Sequence, residues 1–291
     1  MTTIPLTPPA RMGAFRRFLG DLAREPLGLA GAIVVAALVL VAIFAPLLAP
    51  YPPAEQSLAD ALLPPSAAHW LGTDEYGRDI LSRLIWGARV TMRTVLSVTA
   101  IVGPIGLLIG VTAGFFGGRV DAILMRITDI VLSFPSLVLA LAFAAALGAG
   151  LGTAIIAISL TAWPPIARLA RAEALVVRNA DYVAAARIYG AGRWRLLFLY
   201  VAPMCLPSVV VRLTLNMAVI TLTAASLGFL GLGAQPPLPE WGAMISAGRK
   251  FMLDQWWVAL MPGIAILLTS LAFNVLGDAL RDILDPRHSR D

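Results

Sequence analysis

LGLAGAIVVAALVLVAIFAPLLA, residues 27–49, carries no charged side chain. A helix needs about 20 apolar residues to cross roughly 30 Å of hydrocarbon, so this stretch is long enough to span a bilayer. The segment before it, residues 1–26, holds Arg11, Arg16, Arg17 and Arg24. A basic start suits a secretion signal, but the apolar run is too long and ends in no small-x-small cleavage pattern, so an uncleaved helix is expected. The rest of the chain agrees. Its 291 residues are 59% hydrophobic and 13% charged, against roughly 45–50% and about 25% in soluble domains. So little polar surface cannot cover a globule, and an all-α polytopic membrane protein follows.

Five further spans can be read from the gaps between charges. The second lies at 94–116 and the third at 122–147. The uncharged interval after Asp129 is too long for one crossing, and Gly148, Gly150 and Gly152 divide it, which puts a hairpin there and a fourth span at 153–169. The fifth lies at 206–230 and the sixth at 257–276. Residues 93–278 thus form a core of five transmembrane helices behind the first one. Six spans put both ends on one side. The arginines decide which, because cytoplasmic segments carry the basic excess: Arg168, Arg171, Arg178, Arg187, Arg193, Arg195 and the two terminal segments, 1–26 and 279–291, fall together. Both termini are therefore expected in the cytoplasm. The formal net charge of +5 is on this reading an orientation signal and not a footprint for nucleic acid.

Two function classes are excluded early. Lys250 is the only lysine and lies in Arg249-Lys250-Phe251, so the chain has no phosphate-binding loop of the Gly-Lys-Ser/Thr type. Cys205, His69 and His288 are too scattered for a zinc pattern, and Cys205 reads as a small apolar residue. No catalytic residue, cofactor site or metal site is expected.

Within the spans, Arg126 and Asp129 are three residues apart on one helical face and are expected to pair at the inner interface, since an unpaired charge in the bilayer is costly. Gly106, Gly110 and Gly114 recur every fourth residue and permit close helix approach, within this chain or to a partner subunit. Asn216 and Asn274 suit interhelical hydrogen bonds or a pathway lining. Trp256 and Trp257 suit an outer interfacial belt.

Two polar stretches are too long for simple turns. The outer one, residues 50–92, holds Glu55, Asp60, Asp74, Glu75 and Asp79. The inner one, residues 171–205, includes DYVAAARIYGAGRWRLLFLYVAP at 181–203. Tyr182, Ala185, Ala186 and Tyr189 share one face of a short helix that Gly190 ends. A second helix follows, with Trp194, Leu197, Phe198 and Val201 on one face. The small alanine face suits docking against a protein better than insertion among membrane lipid.

This inner segment resembles the permease subunits of bacterial ABC importers. Their signature reads EAA, three residues, Gly, nine residues, Ile, one residue, Leu-Pro. Here Ala184, Ala185 and Ala186 precede Gly190 at that spacing, and Pro203 takes the proline place. Ala184 replaces the glutamate, Tyr200 the isoleucine and Ala202 the leucine. HWLGTDEYGRDILSRLIWGARVT (69–91), GFFGGRVDAILMRITDIVLSFPS (114–136), ASLGFLGLGAQPPLPEWGAMIS (225–246) and FNVLGDALRDILDPR (273–287) are similar to the second permease subunit of the dipeptide, oligopeptide and nickel importers. The resemblance implies a type I ABC importer permease fold in the bacterial inner membrane. It further implies a homologous second permease, two ATPase subunits that bind ATP and Mg, and an extracytoplasmic substrate-binding protein delivering peptides, with nickel or another small solute as the alternative cargo. Tyr182, Ala184, Ala185, Ala186, Tyr189, Gly190 and Pro203 would then form the ATPase-coupling loop. Gly72, Thr73, Asp74, Gly77, Arg78 and Asp79 form the outer-loop motif, where ion pairs across the loop are expected. Pro236, Pro237, Trp241 and Gly242 are read as facing the binding protein or the pathway. An ion-coupled carrier would need a buried acid near mid-membrane, and an intramembrane enzyme a catalytic dyad; the spans offer neither.

Overall fold

The computed structural model describes Gly20, Leu22 and residues 25–284. Arg11, Arg16, Arg17, Arg24, Pro286, Arg287, His288 and Arg290 lie outside the described residues, and with them much of the two expected terminal segments. Ten α-helices are present among the described residues: α1 Pro26–Leu48, α2 Ile80–Phe116, α3 Gly118–Leu132, α4 Ser136–Leu147, α5 Leu151–Ala162, α6 Pro164–Val177, α7 Asp181–Ile188, α8 Arg193–Phe229, α9 Trp241–Gly248 and α10 Trp257–Leu284.

Helices α1, α2, α8, α10 and the joined pair α5–α6 (Leu151–Val177) are each long and apolar enough to cross a membrane. The pair α3 and α4 passes the same test but bends by 86°. The bend falls at Pro135, which offers no N–H to a continuing helix and disfavours the α conformation at Phe134. Counted as one broken span, it brings the total to the six expected. The chain is an all-α, multi-pass membrane protein.

Three element boundaries differ from the sequence reading. Helix α2 begins at Ile80, so residues 80–92 are helical and not loop; the Asp79 side chain caps it by accepting from Ser82 N. The charges Arg83, Arg89 and Arg93 end an apolar run without ending a helix that projects past the hydrocarbon. Likewise α8 is continuous from Arg193 to Phe229, so the expected second inner helix is the lower part of span five. A widened turn, Leu197–Val201, joins its parts. It lies just before Pro203, whose ring would meet the carbonyl of Leu199 in a regular α-helix. Third, α6 extends to Val177, past the expected end at 169.

The core is assembled around α2 and α6, which run parallel. Ideal Cβ atoms on Gly106, Gly110 and Gly114 would overlap Ile166, then Ala167 and Ala170, then Arg171 and Ala174. The glycine stripe therefore packs within this chain. Ala167, Ala170 and Ala174 are buried in return, so the two backbones meet along three turns. In lipid there is no hydrophobic drive between helices, and such close packing supplies the association instead. Helix α1 is peripheral: Gly28 and Gly31 sit against Ala279 and the Ala272–Leu276 stretch of α10, while Leu27, Ile33, Leu40 and Leu47 are exposed, as side chains facing lipid should be.

If this seam holds the fold, Gly110→Ala should destabilise the detergent-purified protein by about 1–3 kcal/mol through overpacking against the Ala167 carbonyl. Gly263→Ala, at a helical position with open space around it, should leave the melting temperature unchanged or raise it slightly. Equal melting temperatures for the two variants would rule the seam out as the main constraint.

Candidate functional site

At one end of the bundle, α7 hangs between α6 and α8 on two short connections, residues 178–180 and 189–192. Asp181 lies in its first turn and Arg187 in its last, charges that suit the helix dipole. Its end is set by hydrogen bonds: Gly190 N donates to Arg187 O and Ala191 N to Ala186 O, both at 3.0 Å, with Gly190 at φ +84°. This is the Schellman arrangement, and its left-handed position favours glycine by about 1–2 kcal/mol over a residue bearing Cβ.

The buried side of α7 is Val183 and Ala186. Tyr182, Ala184, Ala185, Ile188 and Tyr189 are exposed, Tyr189 to 91%. The face expected from sequence is therefore divided, because the periodic set contained an inward residue, Ala186, among outward ones. Pro203 lies near the start of the regular part of α8, beyond the widened turn. Trp194 stacks on Phe198 (6.0 Å) and meets Phe116 edge-on (5.4 Å), which ties the foot of α8 to the end of α2.

Ionic contacts lace the same end. Asp129 pairs with Arg168 at 2.6 Å, not with Arg126 as expected; among the described residues Arg126 makes no ion pair. The spacing along α3 suggested a partner within one helix, but α6 brings a guanidinium against α3 from the side. Asp121 accepts from Arg171 Nε at 2.5 Å and Nη2 at 2.6 Å, a bidentate geometry of the stronger kind. Arg178 Nη1 donates to Gly114 O at 2.7 Å, satisfying a carbonyl in the last turn of α2. Sequence reasoning used Arg171 and Arg178 for orientation alone and passed over Asp121, because the partners lie some 50 or more residues away in the chain.

At the opposite end, residues 50–79 fold into a cross-linked loop. Asp74 Oδ1 accepts from Tyr76 N and Arg78 N, its Oδ2 from Arg78 Nε at 2.7 Å, and Arg83 Nε lies 3.4 Å away. Thr73 Oγ1 donates to Asp60 O and accepts from Leu63 N. Asp79 caps α2 and also contacts His69 Nδ1 at 3.0 Å. Gly72 and Gly77 both have positive φ, and a Cβ on Gly77 would collide with the Ser57 carbonyl. The motif residues are thus brought together by the loop's own architecture. Leu58, Leu63, Trp70 and Tyr76 are its exposed large apolar side chains among the described residues.

The segment after α8 divides in two. Pro236 and Pro237, joined by a cis peptide bond, are exposed. Trp241 and Gly242 are not: Trp241 is 2% exposed, donates Nε1–H to Leu84 O at 3.1 Å and covers Gly87, while Gly242 lies against the Ala225 carbonyl. The expectation that these two face the binding protein or the pathway is corrected: both are packed inside this chain, where Trp241 anchors a short helix. Glu240, also missed, caps α9 by accepting from Gly242 N and Ala243 N. Its carboxylate sits where a Cβ of Gly228 would be. The nearby polar residues include Thr91, Thr94 and Thr221, which line a cavity of about 20 Å³ with it. Asn216 Nδ2 is buried without a hydrogen-bond partner. Among the described residues no three His, Cys, Asp or Glu side chains converge as a metal-binding group.

Burial holds the Glu240 carboxyl above its ordinary value, and the two backbone N–H donors offset this in part. A raised folded-state pKa means that the ionised form costs stability once pH exceeds the unfolded-state value, so the cost grows as pH rises and vanishes in acid. Glu240→Gln keeps an acceptor for the cap and removes the charge. Its melting temperature should exceed the parent's at neutral pH, with the gap closing toward the ordinary glutamate value of about 4.3. A gap independent of pH would contradict the assignment.

Residues 106–290 match the family described as binding-protein-dependent transport system inner membrane component. Residues 13–65 match the N-terminal TM domain of oligopeptide transport permease C. Among curated proteins, the chain is 50% identical over 263 residues to the probable D,D-dipeptide transport system permease protein of Escherichia coli (strain K12), covering 90% of this chain and 88% of that one. It is 45% identical to the di/tripeptide transport system permease protein of Pseudomonas aeruginosa (strain UCBPP-PA14), covering 94% and 92%. A glutathione transport system permease protein of Pectobacterium atrosepticum is 41% identical, covering 94% and 90%. With matches running through six membrane segments and both polar ends, the chain belongs to the family of inner membrane components of binding-protein-dependent transport systems.

Proposed function

We propose that this chain is one permease subunit of an ATP-driven importer of short peptides, non-catalytic itself, with both termini in the cytoplasm. The observation that carries the reading is the likeness, along nearly the whole chain, to permeases named for D,D-dipeptides, di/tripeptides and glutathione, all short peptides. The partners are a homologous permease, two ATPase subunits that bind ATP and Mg, and an extracytoplasmic binding protein.

The coupling step follows from the lower end of the bundle. The exposed Tyr182, Ala185, Ile188 and Tyr189 face of α7 docks in a groove of an ATPase subunit, small residues allowing backbone approach and the aromatics filling the groove's edges. Without the family's glutamate at Ala184, docking relies on apolar contact. When ATP draws the ATPase subunits together, α7 moves with them. Its short connections pass the motion to α6 and α8, the glycine seam carries it to α2, and the Arg171–Asp121 and Arg168–Asp129 pairs carry it to α3. A path between the two permeases then opens toward the binding protein at the end bearing Pro236, Pro237 and the cross-linked loop.

In proteoliposomes holding the full transporter, binding protein and peptide should stimulate ATPase activity, and uptake should require ATP on the ATPase side. Ala185→Arg, on the exposed face of α7, should abolish stimulation while the complex still assembles. Gly192→Ala, at φ −65°, should be tolerated, whereas Gly190→Ala should weaken coupling. Uptake that survives ATP depletion and collapses with the proton gradient would refute the ATP-driven reading. Full coupling in Ala185→Arg would refute the docking face.

A further inference from the structure

We propose that the cavity between the cross-linked loop and α9 is a subsite for the N-terminal residue of a short peptide, with Glu75 receiving its α-ammonium group. The inference rests on the reading that the chain passes peptides. It adds a place where the permease itself holds them.

The cavity measures about 410 Å³, within the range of roughly 300–1,000 Å³ common for small-molecule sites. One wall is charged, with Asp74, Glu75, Arg78 and Arg83; the facing wall is apolar, with Pro237 and Met244 among its residues. Three of the four charged groups are committed to one another or to backbone. Asp74 takes Arg78 at 2.7 Å and lies 3.4 Å from Arg83, which donates Nη1 to Pro53 O. Glu75 differs. Its side chain is 14% exposed, its Oε2 is buried without a hydrogen bond among the described residues, and its one ionic contact among them is Lys250 Nζ at 3.8 Å, on a lysine side chain that is 62% exposed.

A carboxylate oxygen buried without a donor is costly, because its lost water is not replaced. An ammonium group brings three N–H donors and a positive charge. Lys250 already marks the position for a cation but holds it loosely, so a peptide amine can displace it into solvent. Asp74 against Arg78 and Arg83 leaves one positive charge in excess, and Glu75 balances it. A zwitterion therefore enters without net charge mismatch, its amine toward Glu75 and its first side chain against the Pro237 and Met244 wall. A peptide blocked at its N-terminus lacks the group this wall receives.

The test uses Ala247→Cys, a cavity-lining position, in a Cys205→Ala background, within the full transporter in proteoliposomes without binding protein. The thiol is modified by a methanethiosulfonate reagent in the presence of dialanine or N-acetyl-dialanine. Dialanine should slow modification saturably and the acetylated peptide should not. Adding Glu75→Gln should raise the half-protecting concentration of dialanine by about tenfold, the loss of one charge-assisted hydrogen bond. Equal protection by both peptides, protection unchanged by Glu75→Gln, or no protection at either Ala247→Cys or Ala243→Cys would overturn the proposal. ATP-driven dialanine uptake with binding protein, measured on the parent transporter, separates the two readings: uptake without protection sinks the subsite alone, and no uptake of any peptide sinks the peptide reading.

Discussion

The contact between α2 and α6 sets the terms for the rest of the molecule. Gly106, Gly110 and Gly114 lie against Ile166, Ala167, Ala170, Arg171 and Ala174 so closely that a single added methyl group would meet backbone atoms. Two helices in lipid gain little from burying one another's apolar surface, since the solvent they leave is apolar too. What remains is dispersion at short range, which rewards removal of side chains from the interface. The seam fixes α6, α6 fixes where α7 hangs, and the parallel course of the two helices puts the end of α2 beside the foot of α8.

Charge does at one end what packing does in the middle. Arg168, Arg171 and Arg178 follow α6 out of the apolar zone and meet Asp129, Asp121 and the Gly114 carbonyl. The Arg168–Asp129 pair is about half exposed and contributes little to stability. The bidentate Arg171–Asp121 pair is more enclosed and fixes orientation as well as distance. At the other end, the Asp74, Arg78 and Arg83 cluster holds a long loop against the start of α2. The two ends are therefore held by charge, and the glycine seam in the last third of α2 by steric fit.

Much of this was legible in the sequence. The uncharged runs gave the six spans, the period-four glycines a close seam, and Gly190 the end of α7, because each rests on a local rule: hydrophobic length, small-residue spacing, left-handed backbone. What escaped depended on which helix lies beside which. Asp129 had a suitable partner three residues away in Arg126, yet its actual partner lies 39 residues on. Trp241 sat among prolines in an apparent loop, while Leu84 and Gly87, far back in the chain, supplied its pocket. Glu240 gave no warning either, since a capping carboxylate looks ordinary until Gly228 is placed against it. The start of α2 was hidden for a different reason: charge marks where an apolar run stops, not where a helix does.

The length of α2 has a mechanical meaning. Its 37 residues make a rod of about 55 Å at 1.5 Å per residue, and it is the element that touches both the Asp79 cap at one end and Arg178 at the other. Such a rod works as a lever: a tilt of one degree about its middle moves each tip by about half an ångström in opposite directions. Pro104 sits about two-thirds of the way along it, just before the glycine seam, and leaves one backbone carbonyl without its usual donor. The lever is therefore softest just above the packed seam, where a bend moves the charged loop relative to the part of α2 that the seam holds.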